Sequence, residues 1–503
     1  MIEIGSAPAP GLREGDFRKI CQNGFGDGHN AYAYSMAWFG EHLYVGTSRA
    51  NLMLLKFAMP FVRMDVWPVE CPHPNYSAPF EQESARGEIW RYHPPSDLWT
   101  RVFQAPFTSD AEGEFSRDLG YRGMVEFQGV SDPAPALYVA TWSRSRGTGP
   151  DLLRTLDGTN FEVLPKPQFQ TQGREITFNA IRILMPFKGR LFTAPAGATK
   201  GNVNVSGVSL IYATDDPAKG EWVCVNEPGF DQFPEVFTVY EMATLGDWLY
   251  AGTSGLHGLQ IWRTRAEGEL PYHWERVVSG GAGRGALNQI ALSMIPFEGA
   301  LYVGTGIQNG GHDWRNKVGP AAAEIIRINL DGSWDIIVGN PRDGKEPLSG
   351  LAAGFNNYFN GYLWRMGVHD GWLYAGTMDW SVILQFTELK KRPLQLARII
   401  AGAGVEEYVA CRGGFELWRT CDGENWLSVT RRGFGNPYNF GCRSIVSTQH
   451  GLFIGSANPF GPKVARRKNP KEWEWTYEAN PRGGLEVWRG QTVSAAPAHG
   501  NPT

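Results

Sequence analysis

One short phrase returns along almost the whole chain, and no other feature limits the fold so sharply. Leu43-Tyr44-Val45-Gly46-Thr47 recurs as Leu137-Tyr138-Val139-Ala140-Thr141, Leu191-Phe192-Thr193-Ala194, Leu249-Tyr250-Ala251-Gly252-Thr253 and Leu301-Tyr302-Val303-Gly304-Thr305. It appears again as Leu373-Tyr374-Ala375-Gly376-Thr377 and Leu452-Phe453-Ile454-Gly455-Ser456. The aromatic positions of these seven copies lie 94, 54, 58, 52, 72 and 79 residues apart. A repeat core of about fifty residues is thus interrupted by insertions, and self-similarity on that scale marks stacked or circular repeats. A third strand follows each copy, as in Glu88-Ile89-Trp90-Arg91, Gln260-Ile261-Trp262-Arg263, Glu416-Leu417-Trp418-Arg419 and Glu486-Val487-Trp488-Arg489. Fourth strands carry Trp99, Phe161, Trp222, Trp274, Trp334 and Trp426, one fewer than the copies require. The chain start supplies the missing one. Phe17 precedes Gly24-Phe25-Gly26 by the same seven residues that separate Trp426 from Gly433-Phe434-Gly435. Residues 15–22 are therefore predicted to be the outer strand of the last repeat.

Four strands per repeat, seven repeats and a strand shared between the two ends predict an all-β, seven-bladed β-propeller. A single four-stranded sheet cannot cover both its apolar faces, so neighbours must stack, and circular closure leaves no end unit exposed. The whole of 1–503 reads as one such domain, with residues 491–503 expected to be a disordered tail. The 62 glycines fit many tight turns between short strands. The recurrent Trp and Tyr residues are expected to wedge neighbouring units together.

Charge and composition exclude several classes. A formal net charge of -4 argues against a nucleic-acid or anionic-membrane surface. The N-terminus lacks the apolar core of a signal peptide, and no window approaches the roughly 18 apolar residues of a membrane helix. Cys21, Cys71, Cys224, Cys411, Cys421 and Cys442 form no C-x-x-C pair, which speaks against a zinc site or a disulfide framework. A cytoplasmic protein with no membrane span and no nucleic-acid partner is expected.

Extra length is concentrated in loops that a propeller would gather on one face, where binding and catalysis usually reside. The largest insertions are 49–86 and 378–414. Both are apolar, with Leu54, Leu55, Phe57, Phe61 and Met64 in the first and Ile383, Leu384, Phe386, Leu389 and Leu394 in the second. So much apolar surface calls for cover, either as a lid across the channel mouth or as a dimer contact. On the innermost strands, alignment to the repeat places Tyr34, Arg122, Arg182, Tyr240, Leu292, Trp364 and Arg443 at one equivalent position. The next position holds Ser35, Gly123, Ile183, Glu241, Ser293, Arg365 and Ser444. Four arginines facing Glu241 in a confined space predict a small-molecule ligand with an anionic or aromatic group, bound by forked hydrogen bonds. The alternative is that they pair with loop acids such as Asp110, Glu112, Glu114 and Asp118.

Further candidates stand at the mouth: Arg49 and Asn51, Arg144, Asn309, His312, Asp313 and Arg315, then Asp379 and Trp380. An apolar lid would raise the pKa of Asp379 and suit it to general-base work. His312 and Asp313 have no second histidine at ligand spacing, so no metal ligands are assigned. No cofactor is expected, with calcium in the channel or loops left open.

Three turns, Thr155-Leu156-Asp157-Gly158, Thr420-Cys421-Asp422-Gly423 and Leu330-Asp331-Gly332, resemble the Asp-box hairpins of sialidases and related propellers, each one residue tighter between Asp and Gly. The arginines together with the adjacent Tyr240 and Glu241 resemble the arginine cluster and tyrosine nucleophile of sialidases. Arg182-Ile183-Leu184 is the nearest match to their Arg-Ile-Pro signature and lacks its proline. That resemblance implies glycosidase activity. In overall architecture the chain also resembles propeller enzymes of bacterial natural-product biosynthesis, including those that alkylate phenolic rings, and lyases on similar rings. This second resemblance implies an enzyme performing alkylation, cyclisation or elimination on an aromatic or anionic small molecule, and it is the function expected here. Asp379, Glu241 and Tyr240 would be catalytic, with Arg122, Arg182, Arg365, Arg443, Tyr34, Trp364, Arg49 and Trp380 binding substrate. A lectin-like or protein-binding propeller, or a sialidase-like glycosidase, are the alternatives.

Overall fold

The computed structural model describes residues 10–58, 64–170, 178–197, 209–231, 236–313, 316–388, 404–468 and 474–492. Twenty-eight of its described strands pair antiparallel in runs of four, and two hairpins, Phe107–Asp110 with Gly113–Ser116 and Lys463–Arg467 with Trp475–Ala479, stand outside them. The first unit comprises Asn30–Phe39, His42–Arg49, Glu88–His93 and Leu98–Gln104. The second is Asp118–Phe127, Ala136–Ser143, Leu152–Thr155 and Glu162–Val163. The third is Phe178–Phe187, Arg190–Gly197, Tyr212–Thr214 and Val223–Cys224. Val236–Leu245, Trp248–Gly255, Ile261–Thr264 and Glu275–Val278 follow, then Ile290–Phe297, Ala300–Gly306, Ile325–Ile328 and Trp334–Val338. The sixth unit is Asn360–His369, Trp372–Asp379, Leu417–Thr420 and Leu427–Thr430. In the last, Gly441–Thr448, Gly451–Ala457 and Val487–Gly490 are joined by Phe17–Cys21 from the chain start. The first strand of each unit lies against the first strands of the units before and after it, and Gly441–Thr448 returns to Asn30–Phe39. Among the described residues no helix is long and apolar enough to cross a membrane.

Each letter of the repeated phrase has its own physical job. The leucine is fully buried in the core of its unit, as at Leu43, Leu301 and Leu373. The tyrosine ring is buried too, and its hydroxyl reaches the neighbouring unit: Tyr44 donates to the Gly158 carbonyl at 3.1 Å, and Tyr374 accepts the Leu12 N–H at 2.9 Å. The glycine is a close approach. A Cβ on Gly46 would stand 2.7 Å from Tyr121, and one on Gly376 2.3 Å from Cys442, both on the next innermost strand. The threonine or serine hydroxyl accepts the backbone N–H of the glutamate that opens or immediately precedes the third strand: Glu88 to Thr47, Glu324 to Thr305, Glu416 to Thr377 and Glu486 to Ser456, all within 2.8–3.0 Å.

That glutamate anchors a second repeated device. Its buried carboxylate accepts the indole N–H two residues on, from Trp90, Trp418 and Trp488, at 2.8–3.0 Å. It also accepts an asparagine amide that enters from the turn before the innermost strand: Asn30 to Glu88 at 2.8 Å, Asn288 to Glu324 at 2.7 Å and Asn439 to Glu486 at 2.6 Å. In the same turns Phe25, Phe230, Phe355 and Phe434 adopt left-handed φ values of 54–63°. The strained backbone delivers each ring onto the unit's tryptophan, stacked at 4.4–4.8 Å between centroids. Recurrent tryptophans are thus packed core. At the hairpin tips, Asp157 and Asp422 accept the N–H groups of the residues two and three positions on and so build their own turns.

Candidate functional site

The innermost strands place one side chain per unit by the same local fault. In each, the ladder to the second strand skips: the register breaks between Ala33 and Ser35, Tyr121 and Gly123, Ile181 and Leu184, Val239 and Glu241, Ala291 and Ser293, Leu363 and Arg365, and Cys442 and Ser444. The extra residue of a β-bulge leaves the ladder and its side chain is re-aimed. Those bulge residues are Tyr34, Arg122, Tyr240, Leu292, Trp364 and Arg443, with Arg182 and Ile183 sharing the third. Alignment to the repeat makes these positions equivalent, and each falls where the register shifts.

Around the ring, guanidiniums lie on aromatic faces. Arg182 sits 3.9 Å from the Tyr240 centroid; Arg443 is 4.7 Å from Tyr34 and 5.6 Å from Trp364, and Arg122 is 5.6 Å from Tyr34. Cation–π contacts of this kind attract a guanidinium to the face of an aromatic ring. Tyr32, Tyr362 and Phe440 pack edge-on or tilted about Trp364 and widen the aromatic wall. Burial pushes the Arg182 guanidinium down to about 9, with the like charge of Arg122 adding to it. Burial likewise takes Arg443 down to about 10, and the Tyr34 phenol partly offsets the effect. The Tyr240 phenol is raised by burial, against the pull of Arg182 and Arg122.

The second tier is divided between structure and charge. Ser35 donates to the Tyr121 carbonyl at 2.7 Å, Ser444 to the Ala33 carbonyl at 3.0 Å, and Ser293 accepts the Met366 N–H at 2.9 Å. These serines staple neighbouring innermost strands. Arg365 and Glu241 form an ion pair at 2.7 Å between units that are not adjacent in the ring. The loop acids are engaged elsewhere: Asp110 and Glu112 with Arg146, and Asp118 with Arg117.

Not all mouth residues converge on the ring. Arg49 is buried and ties the first insertion to the turn before the innermost strand, donating to Asp27 and the Glu83 carbonyl at 2.7 Å and to Asn30 at 2.9 Å. Arg144 is held by Glu81 and lies 4.1 Å from the Tyr76 ring. Asn51 accepts the Ser48 hydroxyl, and Asp313 accepts side-chain amides from Gln289 and Asn316, each at 2.7 Å. Burial lowers the His312 imidazole. Arg315 and part of both insertions, including Phe61, Leu389 and Leu394, lie outside the described residues, as do 493–503 of the predicted tail. Trp380 packs on Phe359 with centroids 4.8 Å apart. Asp379 is fully buried, bound by the Ser381 N–H at 2.7 Å and the Asn357 amide at 2.8 Å. Among the described residues no three His, Cys, Asp or Glu side chains are grouped to hold a metal ion. The sequence reading missed Asn357, Glu416 and the aromatic wall, although Tyr32 and Tyr362 stand two residues before Tyr34 and Trp364 in matching strands.

The two insertions meet over this region. Leu52, Met53 and Leu54 from the first and Val382, Phe386 and Val409 from the second share one apolar cluster with Tyr34 and Trp142. Val66 donates its N–H to the Phe386 carbonyl at 3.2 Å, and the Glu388 N–H reaches Asp65 at 2.8 Å.

No protein-family model matches the chain, and no curated protein matches it. Solved structures similar to it include an ancestral GH74 enzyme, at TM-score 0.46 and 12% identity over 93% of this chain and 49% of that one. The GH74 xyloglucanase from Xanthomonas campestris aligns at TM-score 0.41 and 14% identity, covering 88% and 53%. The GH93 α-L-arabinofuranosidase of Fusarium graminearum, in complex with arabinobiose, aligns at 0.38 and 11%, covering 70% and 88%. The chain spans about half the length of the two GH74 enzymes. The expectation of a biosynthetic transferase or lyase is corrected here, because the structures that the chain resembles are glycoside hydrolases. Alkylation, cyclisation and elimination on a phenolic ring are set aside.

Proposed function

We propose that the units form a seven-bladed β-propeller and that its hub binds the acidic group of a sugar and cleaves the attached glycosidic bond, as a sialidase-like glycosidase. The observation that carries this reading is the delivery of Arg122, Arg182 and Arg443 to one ring by the same bulge, among Tyr34, Tyr240 and Trp364. Guanidinium forks match a carboxylate in two parallel hydrogen bonds. Aromatic faces supply flat apolar walls against which a sugar ring can rest. In this reading Tyr240 attacks the anomeric carbon as the glycosidic C–O bond breaks, and Glu241 takes the phenolic proton. The departing alkoxide takes a proton from solvent water, and a second water then hydrolyses the tyrosyl intermediate and returns the phenol. Tyrosine is the recognised nucleophile where a carboxylate ligand would repel a carboxylate nucleophile. Glu241 must first leave Arg365, which is then available to the substrate anion. Insertions 49–86 and 378–414 serve as a lid, since their apolar residues are shared in one cluster with Tyr34.

The test is hydrolysis of fluorogenic sialoside and glucuronide by the full chain. Tyr240→Phe is expected to reduce kcat by at least about a hundredfold. Arg182→Ala and Arg443→Ala are expected to raise KM about tenfold or more. The reading fails if neither sugar is cleaved by the unaltered chain, or if both arginine variants cleave normally while folded.

A further inference from the structure

The carboxylate of Asp379 lies at the root of the second insertion, with no exposed surface. Its two oxygens accept the Ser381 N–H at 2.7 Å and the Asn357 side-chain amide at 2.8 Å. The same Asn357 nitrogen reaches Glu416 at 3.1 Å, so two buried carboxylates hang on one amide group. Glu416 has other support, from the Trp418 indole at 2.8 Å and from Arg431 at 3.3 Å. Asp379 forms no ion pair among the described residues. The titratable groups that face it are Glu416, just before the third strand of its unit, and Tyr408 from helix Val405–Arg412; Arg412 and Arg431 stand beside Tyr408. The turn Ser381–Phe386 and the loop carrying Asn357 add no charge. Phe359, Trp380, Leu384, Val405 and Tyr408 pack together as one apolar cluster drawn from the same turn and helix. An ionised carboxylate has about four acceptor positions, and two donors without a cation leave it poorly compensated when buried.

We propose that Asp379 is a proton-operated latch: protonated, it docks the turn Ser381–Phe386 and helix Val405–Arg412 onto the strand end, and ionised, it loosens them, placing access to the hub under the control of pH. The control of access rests on the hub being the binding site; the latch itself does not. Burial raises the Asp379 carboxyl to about 7, and Glu416 raises it further against the two hydrogen bonds. The sign follows from linkage. The docked form holds its proton more tightly than the open form, whose carboxyl titrates near the ordinary 3.8. Docking is therefore most stable in acid, weakens as pH rises toward 7, and levels off above it.

Hydrogen exchange on the full chain between pH 5 and 8.5, corrected for intrinsic rates, reads this directly at the amides of 381–386 and 405–412. Protection is expected to fall close to tenfold per pH unit from about pH 5 to 6.5 and to flatten above about 7. Asp379→Asn should give a flat profile. Glu416→Gln removes the like charge and should move the flattening to lower pH, and it decides the matter if Asp379→Asn does not fold. An unchanged slope in these variants, or constant protection in the unaltered chain, overturns the latch. Calorimetry with inorganic sulfate at pH 6 and pH 8 tests the link to the hub. Sulfate uptake that depends on Arg443 and is faster at pH 8 supports it. If no sulfate binds at either pH while the exchange profile holds, the link to the hub is overturned and the latch stands.

Discussion

Closure of the molecule by its own N-terminus can be tested at Phe17. This residue is 8% exposed and pairs with Gly490 at the outer edge of the last unit. Its ring lies 5.1 Å from Phe434 and belongs to a cluster with Leu12, Phe415, Leu417 and Val429. Around it Lys19 pairs with Glu486 at 2.9 Å, and the Trp99 indole donates to the Ile20 carbonyl at 2.8 Å. Phe17→Ala removes a buried ring, a loss of about 3–5 kcal/mol when the site does not collapse. The strand is outermost, so the loss falls on a local opening that frees Val487–Gly490 rather than on the whole fold. At about 1.4 kcal/mol per factor of ten, amide protection in Val487–Gly490 should fall by roughly two to three and a half powers of ten. Leu98→Ala, at a residue 64% exposed, is the control and should stay within about 0.5 kcal/mol. Protection that changes less than about threefold in Phe17→Ala would mean that the first strand does not hold the last unit, and the closed reading would fall.

Asn439→Ala strips one donor from the buried Glu486 and another from the Gly433 carbonyl, at 2.6 and 3.1 Å. Urea unfolding should show a loss of about 2–4 kcal/mol, larger than for Asn425→Ala at an exposed hairpin tip. Leu55→Glu separates the two uses of the apolar insertions. Under the lid reading, light scattering of the unaltered chain and the variant gives one mass, and fluorogenic sugar cleavage falls in the variant. A dimer that the variant splits with activity intact would refute it.

How much of this was legible beforehand can be judged residue by residue. The phrase around Tyr44 and Tyr374 fixed the unit boundaries, because leucine, tyrosine, glycine and threonine are each needed there for a different contact. The pairing of Phe17–Cys21 with Val487–Gly490 was visible in the spacing to the Gly-Phe-Gly turns. Alignment sets Arg122, Arg182 and Arg443 at equivalent places on the innermost strands, but the bulge is not legible there, since no residue type marks it. The staple from Asn30 and Asn439 to Glu88 and Glu486 stood in plain sight in the glutamate-tryptophan strands and went unread. It joins residues 58 and 47 apart in the chain, where spacing carries no signal. The surroundings of Asp379 are legible only in part. A strand-end aspartate beside an apolar insertion suggests a raised carboxyl, as burial gives it, but its hydrogen bonds to Asn357 and the Ser381 N–H come from packing that spacing does not show.

The bulges also explain how one repeat can carry four different residue types at the same place on its innermost strand. A ladder position must suit both its cross-strand partner and the core behind it, which restricts it to a few residue types. A bulge residue is released from both demands. Arginine, tyrosine, tryptophan and leucine can therefore occupy equivalent places without altering the register on either side, as the intact pairing beyond Ser35, Gly123, Glu241 and Arg365 demonstrates. The fold is thus specified by the phrase on the second strand, while one bulge residue on the first is left to vary. Exchanging Leu292 for arginine should then leave the units folded while placing a further guanidinium in the ring. Unfolding by urea should change by less than about 1.5 kcal/mol. A larger loss would show that the bulge position is under packing constraint after all, and that the composition of the hub is a matter of stability before it is a matter of ligand.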